Sequence, residues 1–69
     1  MDIRANIIKY LLAHAKENKY KIARTLKVDV NKVTKVLSAL QEEGLIEVKV
    51  GNAMLVKGKI PSIIKKYKR

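Results

Sequence analysis

The sequence predicts a mainly α-helical fold with a small β-hairpin: a three-helix core followed by a two-stranded ribbon. Three observations carry that reading. Residues 22–46 hold two stretches of helical apolar spacing separated by a gap that admits only a tight turn. Gly44 closes the second stretch, and directly after it the period changes to a β-like run rich in Val, Leu and Ile. The chain has 69 residues, enough for one small domain that hides only about 60% of the surface its unfolded form exposes. Nearly every apolar side chain in the periodic segments must therefore serve the core, and there is no room for a separate catalytic domain.

The elements follow in order. Asp2 can cap a first helix in which Ile3, Ile7, Ile8, Leu11, Leu12 and Ala15 recur at the helical period, with Arg4, Asn6, Lys9 and Lys16 mostly outside that stripe. Asn18 interrupts the pattern and caps a short second helix from Lys19 to Leu26, whose inward residues are Ile22, Ala23 and Leu26. Val28 packs inside the turn. Asp29 stands where a third helix needs an acceptor for its free amides, and Val33, Val36, Leu37 and Leu40 form its inward stripe up to Glu43. Gly44 stops that helix because the position just past its end favours positive φ. Leu45 to Val50 and Ala53 to Lys57 then form two strands around Gly51-Asn52, a pair suited to a type II′ turn with glycine first. One face of this ribbon, Val48 with Leu55 or Val50 with Met54, lies on the helices, with the register left open. Gly58 breaks the second run. Pro61 can start a last short helix in which Ile60, Ile63, Ile64 and Tyr67 share a face, a frayed tail being the alternative. Residues 1–60 thus form the domain, and residues 61–69 a basic C-terminal tail or short helix.

The net charge of +10 is uneven. Residues 1–48 hold nine Lys/Arg against six Asp/Glu, whereas residues 49–69 hold seven Lys/Arg and no acid, so the last third is purely basic. Nucleic acid is the partner this asymmetry fits best, since each neutralised phosphate releases condensed counterions. Cysteine is absent, which removes disulfides, thiolate metal sites and thiol catalysis. His14 is the only histidine, without acidic or histidine neighbours at metal-ligand spacing, and no glycine-rich phosphate loop occurs. No metal, cofactor or enzymatic activity is expected. Neither a signal peptide nor a membrane span is legible, and no membrane partner is expected.

Ile22-Ala23-Arg24-Thr25-Leu26, Val28-Asp29, Val33 to Leu37, and Leu40-Gln41-Glu42-Glu43-Gly44-Leu45-Ile46, taken in this order and spacing, resemble the winged helix-turn-helix family, especially its small archaeal and bacterial DNA-binding domains. With the first helix and the hairpin included, the resemblance covers nearly the whole chain. Ala23 must be small because the second and third helices cross closely there. Many members carry Gly or another small residue where this chain has Lys27; lysine disfavours a left-handed turn and points to a looser one.

The resemblance makes the third helix the reading helix, with Val30, Asn31, Thr34, Lys35 and Ser38 on its solvent face and Lys32 nearer the flank. Asn31 suits the adenine N6/N7 edge and Lys35 the guanine O6/N7 edge, while Thr34 and Ser38 suit a base or a phosphate. Equally, any of these can be an ordinary solvent-facing residue. Tyr20, Lys21 and Arg24 begin the second helix, which passes near the DNA backbone in such folds; Tyr20 can instead cover the core with its ring. The resemblance places Lys49, Asn52 and Lys57 of the hairpin at or beside the minor groove or its phosphates, and a wing this short suits backbone contact.

The expected function is sequence-influenced binding of double-stranded DNA by a cytoplasmic, nucleoid-associated transcription regulator. The alternatives are an RNA- or ribosome-associated winged helix protein, and a protein-interaction module in replication or transcription. A symmetric homodimer is expected, through the final segment Ile60, Ile63, Ile64 and Tyr67 or through the first helix around Ile8 and Leu12, the alternative being that the final segment folds back and caps the helix-hairpin core of a monomer. Lys65, Lys66, Lys68 and Arg69 would then be free to hold phosphates.

Overall fold

Three side-chain caps set the frame of the computed structural model, which describes residues 2–67. An Asp2 carboxylate oxygen accepts from the Ala5 amide at 3.3 Å to open α1 (Ile3–Ala13). Asn18 Oδ1 accepts from the Lys21 amide at 2.8 Å to open α2 (Lys19–Leu26), and Asp29 Oδ1 from the Asn31 amide at 2.7 Å to open α3 (Val30–Glu42). Each cap satisfies an amide that no helical carbonyl can reach.

The helix ends are equally specific. Past α3, Gly44 at φ 76° donates to Gln41 O and Leu45 donates to Leu40 O, both at 3.0 Å, the paired bonds of a Schellman ending. Past α2 the same motif recurs: Val28 N reaches Ala23 O at 3.0 Å and Lys27 N reaches Arg24 O at 3.3 Å. Lys27 sits at φ 59°, ψ 46°, fully left-handed, so the expected looser turn is not formed. The two backbone bonds, and the docking of half-buried Val28 against the core, hold lysine in a conformation it disfavours.

Beyond α3 lie β2 (Ile46–Lys49) and β3 (Asn52–Leu55), and a short strand before α2, β1 (Glu17–Asn18), joins them in one antiparallel sheet of order β1-β3-β2. This third strand was not expected. The hairpin pairs Ile46 with Leu55, Glu47 with Met54, Val48 with Ala53 and Lys49 with Asn52. Its turn is therefore Val50-Gly51, one residue earlier than expected, and because both have positive φ, 49° and 78°, it is type I′ rather than II′. The face on the helices comprises buried Ile46, Ala53 and Leu55; Val48 shares that side but remains 39% exposed, and Val50 is not inward at all.

The core is one cluster. Ile7, Ile8 and Leu11 of α1 meet Ile22 and Ala23 of α2, Val33, Leu37 and Leu40 of α3, and the inner face of the sheet. Ala15, expected on the α1 stripe, lies beyond the helix end and is exposed, which costs little for so small a side chain. After a single 3₁₀ turn, Lys57–Lys59, α4 (Ile60–Tyr67) folds back onto α1 and adds Ile63, 2% exposed, to the same core. A polar clamp fastens this closure: both terminal nitrogens of the Arg4 guanidinium donate to the Glu43 carboxylate at the end of α3, and Arg4 Nε donates to Tyr67 Oη at 3.4 Å. The helix-turn-helix of α2 and α3, braced by α1 and flanked by a β2–β3 wing, is a winged helix fold.

Candidate nucleic-acid interface

Asn18 ties the two halves of the candidate surface together. Its side chain caps α2 while its backbone pairs with Asn52, so the N-terminus of α2 stands beside the turn end of the wing, where Lys49 and Asn52 close the hairpin. The α2 and α3 helices pack through Ile22, Ala23, Val33 and Leu37, which turns the remaining faces of both outward.

On α3, Asn31, Lys35 and Ser38 are exposed and recur at i, i+4, i+7, a single stripe, with exposed Lys32 beside it. Buried Val33, Leu37 and Leu40 repeat the same spacing on the side that meets the core. Two residues expected on the outer face are drawn back. Val30 is half-buried against the core, and the half-buried Thr34 hydroxyl donates to Val30 O at 2.9 Å, leaving only its lone pairs for a ligand. On α2, Lys21 and Arg24 are exposed. Tyr20 is 61% exposed, so its ring does not cover the core; Lys19 Nζ lies 5.4 Å from the ring centroid instead.

Residues 19–35 contain six Lys/Arg and one acid, Asp29, whose carboxylate is engaged in capping. The positive N-terminal ends of α2 and α3 add to that field. Glu42 and Glu43 stand at the opposite end of α3. Hydrogen bonding from Arg4 holds the Glu43 carboxyl below the usual carboxylate range, and the Glu43 and Tyr67 bonds raise the Arg4 guanidinium further above its ordinary value.

The wing differs from expectation in what it offers. Lys49 is exposed at the end of β2, but Asn52 is half-buried as the first residue of the central strand, between Lys49 and Asn18, and is not one of the two turn residues. Lys57 is exposed outside the hairpin. With Lys49 it lines a concavity that also holds Leu12, Lys16, Ile60 and Ile64 and includes no residue of α2 or α3. The structure thus brings Tyr20, Lys21, Arg24, Asn31, Lys32, Lys35 and Ser38 onto the outer faces of α2 and α3, sets Lys49 and Asn52 on the adjoining wing, and leaves Lys57 on the α4 side.

Sequence reasoning missed Val50 at the wing tip, because Gly51-Asn52 is the stronger local turn signal. It also missed the Arg4–Glu43 pair, whose partners are far apart in sequence. Among the described residues, no three His, Asp or Glu side chains stand close enough to hold a metal ion, and no helix is long and apolar enough to cross a membrane. His14 lies against Tyr10 with ring centroids 4.3 Å apart.

The family profile described as sugar-specific transcriptional regulator TrmB matches residues 4–68. No curated protein and no solved structure matches the chain. Since the profile match runs from the first turn of α1 past the end of α4 and takes in every element that positions the surface, the chain belongs to the TrmB family of transcriptional regulators.

Proposed function

We propose that this chain binds double-stranded DNA as a transcription regulator, with α3 in the major groove and α2 on the backbone. The observation that carries the reading is the α3 stripe of Asn31, Lys35 and Ser38, exposed opposite a fully packed face and set in a segment with six cations. An exposed Asn and Lys one turn apart suit adenine and guanine edges respectively. Lys21, Arg24, the Tyr20 hydroxyl and the first amides of α2 suit phosphates, which fix register without reading sequence. Lys49 extends that grip along the wing. Such a regulator works on the nucleoid, in the cytoplasm.

The test measures binding to duplex DNA, duplex RNA and single strands across a salt series. Duplex DNA binding that falls steeply with salt and exceeds binding to the other two supports the reading; equal weak binding to all three refutes it. The Asn31→Ala, Lys35→Ala double variant separates reading from gripping. It should fold as the parent does, yet lose about 1–3 kcal/mol at a preferred site for each base contact removed. Unchanged affinity and sequence preference would remove α3 from the reading role.

We also propose a symmetric homodimer, with a narrower interface than the sequence suggests. Ile8 and Ile63 are consumed by the core, at 0% and 2% exposure. What remains is Ile64, 41% exposed, beside half-buried Leu12, Ile60 and Tyr67 on the α1–α4 face. That face lies apart from α2 and α3, so two copies joined there would leave both reading helices free for paired half-sites.

A further inference from the structure

The concavity on the α4 side plays no part in the DNA reading. It opens where the sheet loses a strand: β1 begins at Glu17, opposite Ala53, so Met54 and Leu55 of β3 run beyond it with no strand on that side. The end of α1, this bare end of β3, the 3₁₀ turn and α4 enclose an open concavity of about 750 Å³, a size that takes a small molecule. Leu11 and Leu55 form its buried wall. Half-buried Leu12, Met54 and Ile60, with exposed Ile64, leave apolar surface facing solvent.

The polar lining narrows the chemistry of the occupant. Lys16, Lys49 and Lys57 are exposed on the rim against one acid, Glu47, and among the described residues no ion pair engages any of the three. Among the described residues, no Ser, Thr, Asn, Gln, His or aromatic side chain lines the concavity. A sugar needs donors and acceptors for several hydroxyls, and a nucleobase needs an aromatic face to stack on; this lining supplies neither. It supplies aliphatic surface and ammonium groups. We propose that the concavity binds a free aliphatic carboxylate, a medium-chain fatty acid, its chain against Leu12, Met54, Ile60 and Ile64 and its carboxylate at the lysine rim. Removal of the methylenes from water gives the affinity, and the lysines fix which end of the ligand stays outermost. The flexible thioether of Met54 fits itself to the chain. A second copy of the protein would need Ile60 and Ile64 as well, so ligand and dimer exclude one another.

Met54 is one of only two methionines, so ¹³C-methyl labelling of the full chain gives a signal on the ligand's own contact surface. Titration with decanoate, kept well below its micelle-forming concentration, should move that signal saturably. Affinity should rise from hexanoate through octanoate to decanoate by about two- to fourfold per methylene. The Lys16→Gln, Lys57→Gln double variant, altered only at exposed positions, should bind decanoate about five- to tenfold more weakly and decanol as the parent does. Sedimentation of the decanoate-saturated chain should show a monomer. An unmoved Met54 signal overturns the proposal, and a dimer found with it would give the face to a second copy. Glucose moving the signal as decanoate does would overturn the ligand class. Decanoate binding unchanged in the double variant would mark diffuse adsorption to a basic chain and overturn the site. None of these outcomes depends on whether the chain binds duplex DNA.

Discussion

Replacing Lys27 with glycine should stabilise this domain, and the structure supplies the size of the effect. Lys27 occupies φ 59°, ψ 46° between α2 and α3, held there by the bonds of Lys27 N to Arg24 O and Val28 N to Ala23 O. An L-residue in that region costs about 1–2 kcal/mol through contact between Cβ and the carbonyl oxygen, a contact glycine lacks. Against this, glycine enlarges the unfolded ensemble, which removes about 0.4–1 kcal/mol. The side chain is exposed, so no packing is lost. At the middle of those two ranges the net gain is about 0.8 kcal/mol, or roughly 3–6 °C in Tm for a domain of this size. Thermal unfolding of Lys27→Gly beside Lys27→Ala is the assay, because alanine removes the charge and keeps Cβ. Glycine should exceed both the parent and the alanine variant. A glycine variant no more stable than the alanine one would mean that the turn is not left-handed in solution.

Ala23 is 5% exposed within the core cluster, so Ala23→Leu should destabilise the domain by about 1–3 kcal/mol through overpacking; an unfolding curve matching the parent's would put the α2 register in error. Glu43, its carboxyl held low by Arg4, contributes stability that is present above the ordinary carboxylate range and lost as pH falls through its depressed folded value. Unfolding measured at neutral and at acid pH should therefore show a smaller acid loss for Glu43→Gln than for the parent, a small difference because the pair is partly solvated; identical pH profiles would mean the clamp is not formed. Ile64→Glu should convert the proposed dimer to a monomer without unfolding it, since Ile64 is 41% exposed; a sedimentation coefficient equal to the parent's would move or remove the interface.

The three caps and the glycine ending of α3 were legible in the sequence because they are local. Asp2, Asn18 and Asp29 each reach an amide two or three residues on, and Gly44 answers a backbone angle at its own position. The inward stripes, Ile7, Ile8 and Leu11 or Val33, Leu37 and Leu40, were legible for the same reason, since periodicity along a helix decides which side chains can share a face. That an exposed row of Asn31, Lys35 and Ser38 runs along the opposite side of α3 follows from the same spacing.

Other features were settled by segments distant in the chain. A turn at Gly51-Asn52 satisfies local preference, but it would set Ile46 opposite Lys57; the observed register sets Ile46 opposite Leu55 and frees Asn52 to pair with Asn18. Burial of apolar partners and a third strand outweigh one unfavourable φ, and Val50 takes the strain as a result. The left-handed Lys27, the inward lean of Val30 and the loss of Ile63 to the core likewise depend on how the helices dock, and Arg4 finds Glu43 only once α1 and the end of α3 are neighbours. Local chemistry in the sequence thus determined where the helices begin and which faces they bury. The docking of those faces decided which remaining side chains are left at the surface, because burial is a property of the assembled core that no single segment contains.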